Sequence, residues 1–230
     1  MNSDLLEQLK RFDTPTICNA LEAIEPDRRN FGYTTRSMIA INEHAGPVCG
    51  LARTATCRSL HPSEKPSDQL KRERLEYYGY VHNGELPKVV VMQDLDGADA
   101  GRGPFWGEFN VRIHRALGCV AVITDGSFRD ARNLPSDVLL LGAGLRPSHA
   151  NIHIIGFAGQ VNVHGMAVSD SMIVHADEHG AVSFPSIMAD KVVEEARLFI
   201  ESERPIIEAC KSDSLSFERL RELYLGRGAK

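Results

Sequence analysis

No stretch of the 230-residue chain approaches the roughly 18 apolar residues that a membrane-spanning helix requires. The opening Met1-Asn2-Ser3-Asp4 has neither the basic region nor the apolar region of a signal peptide. Cysteines number five, at 18, 49, 57, 119 and 210, and no two form a CxxC. An odd, scattered set excludes a disulfide framework and reads as free thiols in a reducing cytoplasm. Basic residues are the minority: 26 Lys plus Arg stand against 31 Asp plus Glu, for a net charge of −5. That balance argues against general nucleic-acid binding, which needs a basic face. Gly-Lys-Ser/Thr, HExxH and G-x-S-x-G are all missing, which removes P-loop, zinc-protease and serine-hydrolase readings. No internal repeat, low-complexity tract or convincing S-adenosylmethionine loop is present.

What remains is ordinary globular composition, 43% hydrophobic and 25% charged, in a chain long enough to bury a core without a staple. Residues 4–12 read as a helix. A second starts at Asp13-Thr14-Pro15, a capping residue followed by proline in the first turn, and stops before Pro26. Alternation across 38–57, around Gly46-Pro47, predicts two strands, and a short helix is expected near 67–77. Val89–Met92, Cys119–Thr124 and Val138–Leu141 are buried strands, with a helix over 107–117 ended by Gly118. Strand, helix and strand with short links predict a βαβ unit and a parallel pair. Short strands follow at 152–157, 161–168, 171–175 and 181–184, then an amphipathic helix over 186–203. The expected architecture is a layered α/β sandwich over residues 1–203. Residues 204–230 form a helical tail suited to a subunit interface.

Carboxyl ends of neighbouring parallel strands share one sheet edge, where sites in α/β folds collect. Here the first strand leads into a Gly-rich run, Asp94 to Glu108, and the second into Thr124-Asp125-Gly126-Ser127-Phe128-Arg129-Asp130. The glycines let backbone approach a ligand, and a helix opening at 107 offers free N–H groups to an anion. Arg129 supplies a fork that matches a carboxylate, and Asp130 a hard oxygen for Mg2+ or Mn2+. Asp94, Asp96 and Asp99 fail the EF-hand pattern, because its twelfth position falls on Phe105. The pairs His149/His153 and His175/His179 have helical spacing but no zinc-site context.

Trp106-Gly107-Glu108, Arg115-Ala116-Leu117-Gly118 and Thr124 to Asp130 together resemble the RraA-like family. That family includes class II pyruvate aldolases acting on 4-hydroxy-4-methyl-2-oxoglutarate and 4-carboxy-4-hydroxy-2-oxoadipate. Its pattern, a carboxylate, twenty residues and then Arg-Asp, falls on Glu108, Arg129 and Asp130. Thr14 to Leu21 and Ile173 to Pro185 extend the resemblance over roughly 13–203. It implies an α/β/β/α sandwich of the swivelling-domain type, assembled as a homotrimer or hexamer. It also implies a metal-dependent lyase that cleaves a small 2-oxo acid to pyruvate and decarboxylates oxaloacetate, with no nucleic-acid or membrane partner. By that resemblance Gly107, Glu108, Phe109 and Asn110 hold the substrate carboxylate. Arg129 stabilises the enolate. Asp130 ligates Mg2+ or Mn2+ directly, with Glu108 and Glu203 acting through water. Asn19 and Asn110 depart from the family pattern. A competing reading is a non-catalytic regulator of an RNA-processing enzyme, a role that relatives of the same fold fill.

Overall fold

The structure, a computed structural model, describes residues 3–42, 46–211 and 215–226. Expectations attached to Met1, Asn2, 43–45, 212–214 and 227–230 lie outside them. In chain order the elements begin with helices α1 (Ser3–Leu9) and α2 (Thr14–Ile24), then strands β1 (Ile39–Ala40) and β2 (Val48–Arg58). Helix α3 (Ser67–His82), strand β3 (Lys88–Asp94), helix α4 (Glu108–Ala116) and strand β4 (Cys119–Thr124) follow. Strands β5 (Leu139–Gly142), β6 (His153–Phe157), β7 (Val161–Val163), β8 (Met166–Val168), β9 (Ile173–Asp177) and β10 (Gly180–Phe184) lead to helices α5 (Ala189–Cys210) and α6 (Phe217–Leu225).

The expected βαβ unit is present, with β3 and β4 parallel and β5 parallel to β4. β2 joins the other side of β3, also parallel, through the α3 connection. Strand order in the mixed sheet is β1-β5-β4-β3-β2-β9-β10, and β6 pairs with the far end of β2. β9 and β10 are antiparallel. The fold is thus the expected α/β class, a curled mixed sheet with flanking helices. Three elements differ from the sequence reading, the first being α3, which runs to His82 rather than ending near 77. The span 161–168 is a hairpin rather than one strand, because His164 and Gly165 both take positive φ, 50° and 92°, and turn the chain. Helix α5 runs past Pro205 to Cys210, seven residues beyond the expected end.

Alternation along the strands sorts the core into layers. Val89 and Val91 of β3, with Ala121 and Ile123 of β4, pack on Val161, Val163, Met166 and Val168 of the hairpin. The opposite face, Val90, Met92 and Val122, packs under Tyr77 and Val81 of α3 and Val111 of α4. Leu6, Leu9, Ile17, Leu21, Val192 and Ala196 place α1, α2 and α5 over Cys49, Leu51, Ile173 and Phe184. One face of β2 therefore serves two helical layers. Cys49 and Leu51 lie under α1, α2 and α5, while Ala55 and Cys57 lie in the layer with α3 and α4. That division is the curl of the sheet.

Helix ends are fixed by named groups. Asp13 caps α2 by accepting the Thr16 N–H at 2.8 Å, with proline in the first turn as expected. Buried Lys88 opens β3, and its Nζ donates to His82 O at 3.0 Å and Leu117 O at 2.7 Å. One ammonium thereby satisfies carbonyls at the C-terminal ends of both α3 and α4. Gly118 turns the chain out of α4 at φ 88°.

Candidate functional site

The loops leaving β3 and β4 are organised by buried carboxylates. Asp94 accepts the Gly101 N–H at 2.8 Å through Oδ2 and the Asp96 N–H at 3.1 Å through Oδ1. Asp96 in turn accepts the Ser59 and Leu60 N–H groups at 2.6 and 2.8 Å. Asp125 accepts the Asp94 N–H at 2.7 Å and so ties the ends of the two strands together. Burial is the main reason that the Asp125 carboxyl is pushed up to about 6, with the Asp94 charge adding to it. Asp94 is also raised, chiefly by burial. These aspartates are thus loop anchors, and each has bonds that account for it.

Trp106 and Phe128 pair as an isolated parallel bridge, and the Arg129 N–H donates to Trp106 O at 2.9 Å. This sets Gly107 directly against Arg129 and Asp130. A Cβ on Gly107 would lie 2.5 Å from Asp130 Oδ2 and 2.9 Å from Arg129 Cγ, so the approach needs glycine. Gly107 has no side chain to cap α4. Asp130, held at φ 59° in the left-handed region, accepts the Glu108 N–H at 3.2 Å instead. Its negative charge meets the positive end of the helix.

Gly107, Phe109, Asn110 and Arg129 line one cavity of about 310 Å³, so the structure brings these four expected residues together. Glu108 is engaged elsewhere: its Oε1 pairs with Arg112 Nε at 2.8 Å. Asp130 Oδ2 stands 3.5 Å from Arg129 Nε. Glu203 lies on the outer part of α5, a helix whose packing is with α1, α2 and α6. Among the described residues, Glu108, Asp130 and Glu203 do not make a group of three metal-capable side chains. The one such group is Asp177, Glu178 and His179, at the β9–β10 turn.

That turn lies at the other edge of the sheet. Ala176 pairs with Val48 at the start of β2, whereas Cys57, near its end, pairs with Asp94 at the end of β3. Asp177 is already committed: Oδ2 accepts the Thr14 N–H at 2.7 Å, and Oδ1 accepts the His179 N–H at 2.9 Å. His175, which the sequence pairs with His179 by spacing, points away into the core, where Nδ1 meets Thr14 Oγ1 at 3.0 Å. Burial holds His175 down to about 4.

Two residues of the cavity escaped the sequence reading. Arg74 comes from α3, and its guanidinium stands 5.0 Å from the Phe105 ring centroid. His149, singled out only for its spacing from His153, comes from the segment before β6. No local pattern joins positions 74, 129 and 149, so only the tertiary fold reveals them. Asn110, a departure from the family pattern, has a structural reason. Its Nδ2 donates to Phe105 O at 2.6 Å and its Oδ1 accepts from Tyr78 at 2.6 Å, locking α4 to α3. Behind it His114 places Nδ1 2.6 Å from the Asn110 carbonyl, so Nδ1 carries the proton and Nε2 accepts from Tyr77 at 2.8 Å. Burial depresses His114 to about 4, which keeps this relay neutral.

The sequence pattern of the RraA-like family, described as Aldolase/RraA, matches residues 14–183. No curated protein matches the chain. Among solved structures, an uncharacterized protein from Pseudomonas syringae pv. tomato DC3000 is 18% identical with a TM-score of 0.75, covering 98% of this chain and 94% of that one. Streptomyces coelicolor RraAS2, described as an unusual member of the RNase ES inhibitor RraA family, is 22% identical with a TM-score of 0.69. The match covers 89% of this chain and 96% of that one. The RNA-processing inhibitor RraA from Thermus thermophilus is 16% identical with a TM-score of 0.52, covering 72% and 90%. At these identities the likeness is one of fold. The expectation of a metal-dependent lyase, an aldolase or oxaloacetate decarboxylase taking a 2-oxo acid as its partner, is corrected accordingly. Of the three structures named, the two of stated role are described as a member of the RNase ES inhibitor RraA family and as an RNA-processing inhibitor, and the metal-capable group sits across the sheet from Glu108 and Asp130.

Proposed function

Because the chain belongs to the RraA-like family, we propose that it is a non-catalytic regulator that binds an RNA-processing endoribonuclease and lowers its activity. The observation that carries this reading is the likeness to RraAS2, which spans 96% of that inhibitor's chain. The surface also supports it. Only Ala189, Val192, Val193 and Ala196 of α5 are buried, so its outer half and α6 stand clear of the core. Phe217, Tyr224 and Leu225 of α6 are 72%, 65% and 71% exposed, an apolar face set among charges. In this reading the end of α5 beyond Glu203 and helix α6 are available to a protein partner or a second subunit. Gly107, Phe109, Asn110 and Arg129 line a cleft in this regulator rather than a reaction centre, with Glu108 and Asp130 beside it at the start of α4. A divalent ion, Mg2+ or Mn2+, taken by Asp177, Glu178 and His179 would brace the β9–β10 turn.

The test is an RNA cleavage assay with a purified RNase E-type enzyme and increasing amounts of the full chain. The expected outcome is a saturable fall in cleavage rate, accompanied by co-elution of the two proteins. Unchanged cleavage together with separate elution overturns the reading.

A further inference from the structure

Helix α5 packs beside α1, and the two leave a groove between them. Its two halves, about 470 and 380 Å³, share Leu5 and Asp190 and so form one continuous depression. Leu5 and Val193 are buried in its floor, while Leu198 and Ile187 stand 51% and 90% exposed along it. We propose that this groove is the docking site for a short amphipathic helix of a protein partner. The partner's apolar face lies on Leu5, Val193 and Leu198, and its flank carries lysine or arginine.

Charge selects the occupant. Glu85, Asp190, Glu194 and Glu201 bring four carboxylates to the lining, against the two bases Arg53 and Arg197. Both bases are already engaged: Arg53 Nη1 pairs with Asp170 at 3.0 Å, and Arg197 Nη2 donates to Gln8 Oε1 at 2.6 Å. Asp190, Glu194 and Glu201 make no ion pair among the described residues. They follow one another along α5 at i, i+4 and i+11, with Leu198 at i+8, which puts all four on one stripe of the helix. A cationic partner gains from these carboxylates, whereas an acidic one is repelled. Shape selects a helix. α1 and α5 satisfy their own backbones, so the groove between them offers no free row of N–H and C=O groups to an extended strand. From Asp190 to Glu201 the stripe is about 16 Å long at 1.5 Å per residue, which is about three turns of a partner helix. So short a helix is marginal alone in water and folds on the groove, where its apolar face is covered. Peptide binding here is measured without the ribonuclease, so its outcome is separate from that of the inhibitor role.

Fluorescence anisotropy with the full chain at low salt tests the proposal, using a labelled Leu/Lys peptide of about 14 residues with leucine at i, i+3, i+4 and i+7. The controls are a Leu/Glu peptide of the same pattern and a Leu/Lys peptide of the same composition with the period broken. The patterned Leu/Lys peptide should bind at least about tenfold more tightly than either control and gain helical circular dichroism on binding. Glu194→Lys should weaken it about tenfold and Leu198→Ala about fivefold, with thermal midpoints unchanged. Glu64→Lys, an equal charge change on an exposed residue outside the groove, should alter affinity by less than about twofold. Equal affinity for the three peptides, or equal losses in Glu194→Lys and Glu64→Lys, would overturn the proposal. So would a wild-type oligomer that Glu194→Lys dissociates, because a second copy of the chain would then occupy the groove.

Discussion

Asp125 shows how one side chain can organise a loop at a cost. Its carboxylate receives the Asp94 N–H, yet burial lifts it from an ordinary 3.8 to about 6. Between those values the folded chain holds a proton that the unfolded chain has released, so this group's contribution to stability falls as pH rises from about 4 to 6. Above pH 6 the penalty is complete, and at roughly 1.4 kcal/mol per pH unit it amounts to at most about 3 kcal/mol. Asn at this position keeps an oxygen to accept the Asp94 N–H but carries no charge. Urea denaturation across pH 4–8 should therefore find Asp125→Asn gaining on the natural sequence as pH rises, with no gain near pH 4. A constant difference between the two proteins at every pH would contradict this account. Lone residues such as this were partly visible in the sequence. The RraA-like motif fixes the spacing of Arg129 and Asp130, and the structure puts Arg129 in the cavity wall and Asp130 at the start of α4. Arg74 and His149 were not visible, since each lies in a segment whose local pattern says nothing of the other.

Elements fared better where capping chemistry and buried runs were strong. The start of α2 at Asp13-Thr14-Pro15 and the whole of β4 follow from residue types alone. The α5 boundary misled because proline ordinarily ends a helix. Here Pro205 lies in the outer half, where Glu201, four residues earlier, is exposed and water can satisfy the carbonyl that proline leaves free. The joint between α3, α4 and β3 could not be read from pattern, because a lysine in a strand reads as surface. Lys88 is instead buried and binds carbonyls of both helices. Lys88→Met would fill similar space and leave both carbonyls without their donor. The expected loss is about 1–3 kcal/mol in urea denaturation. A loss below about 0.5 kcal/mol would mean that water replaces the ammonium.

At the scale of the molecule, the projecting end of the chain separates stability from the proposed partner binding. α6 contains no buried residue, so its removal takes little from the core. A chain ended after Lys211 should keep its thermal midpoint within about 2 °C, the span of small surface changes. The same truncation should weaken inhibition of the ribonuclease, if the exposed Phe217 face is the contact. A large drop in the midpoint would instead make the tail part of the fold. The strand order carries a further consequence for biosynthesis. β2 is an inner strand of the sheet, yet Val48 finds its neighbour Ala176 only near the end of the fold. During vectorial synthesis the ribosome must release most of the polypeptide before that edge is covered. Until then the nascent β2 remains a sticky template that chaperones would have to shield.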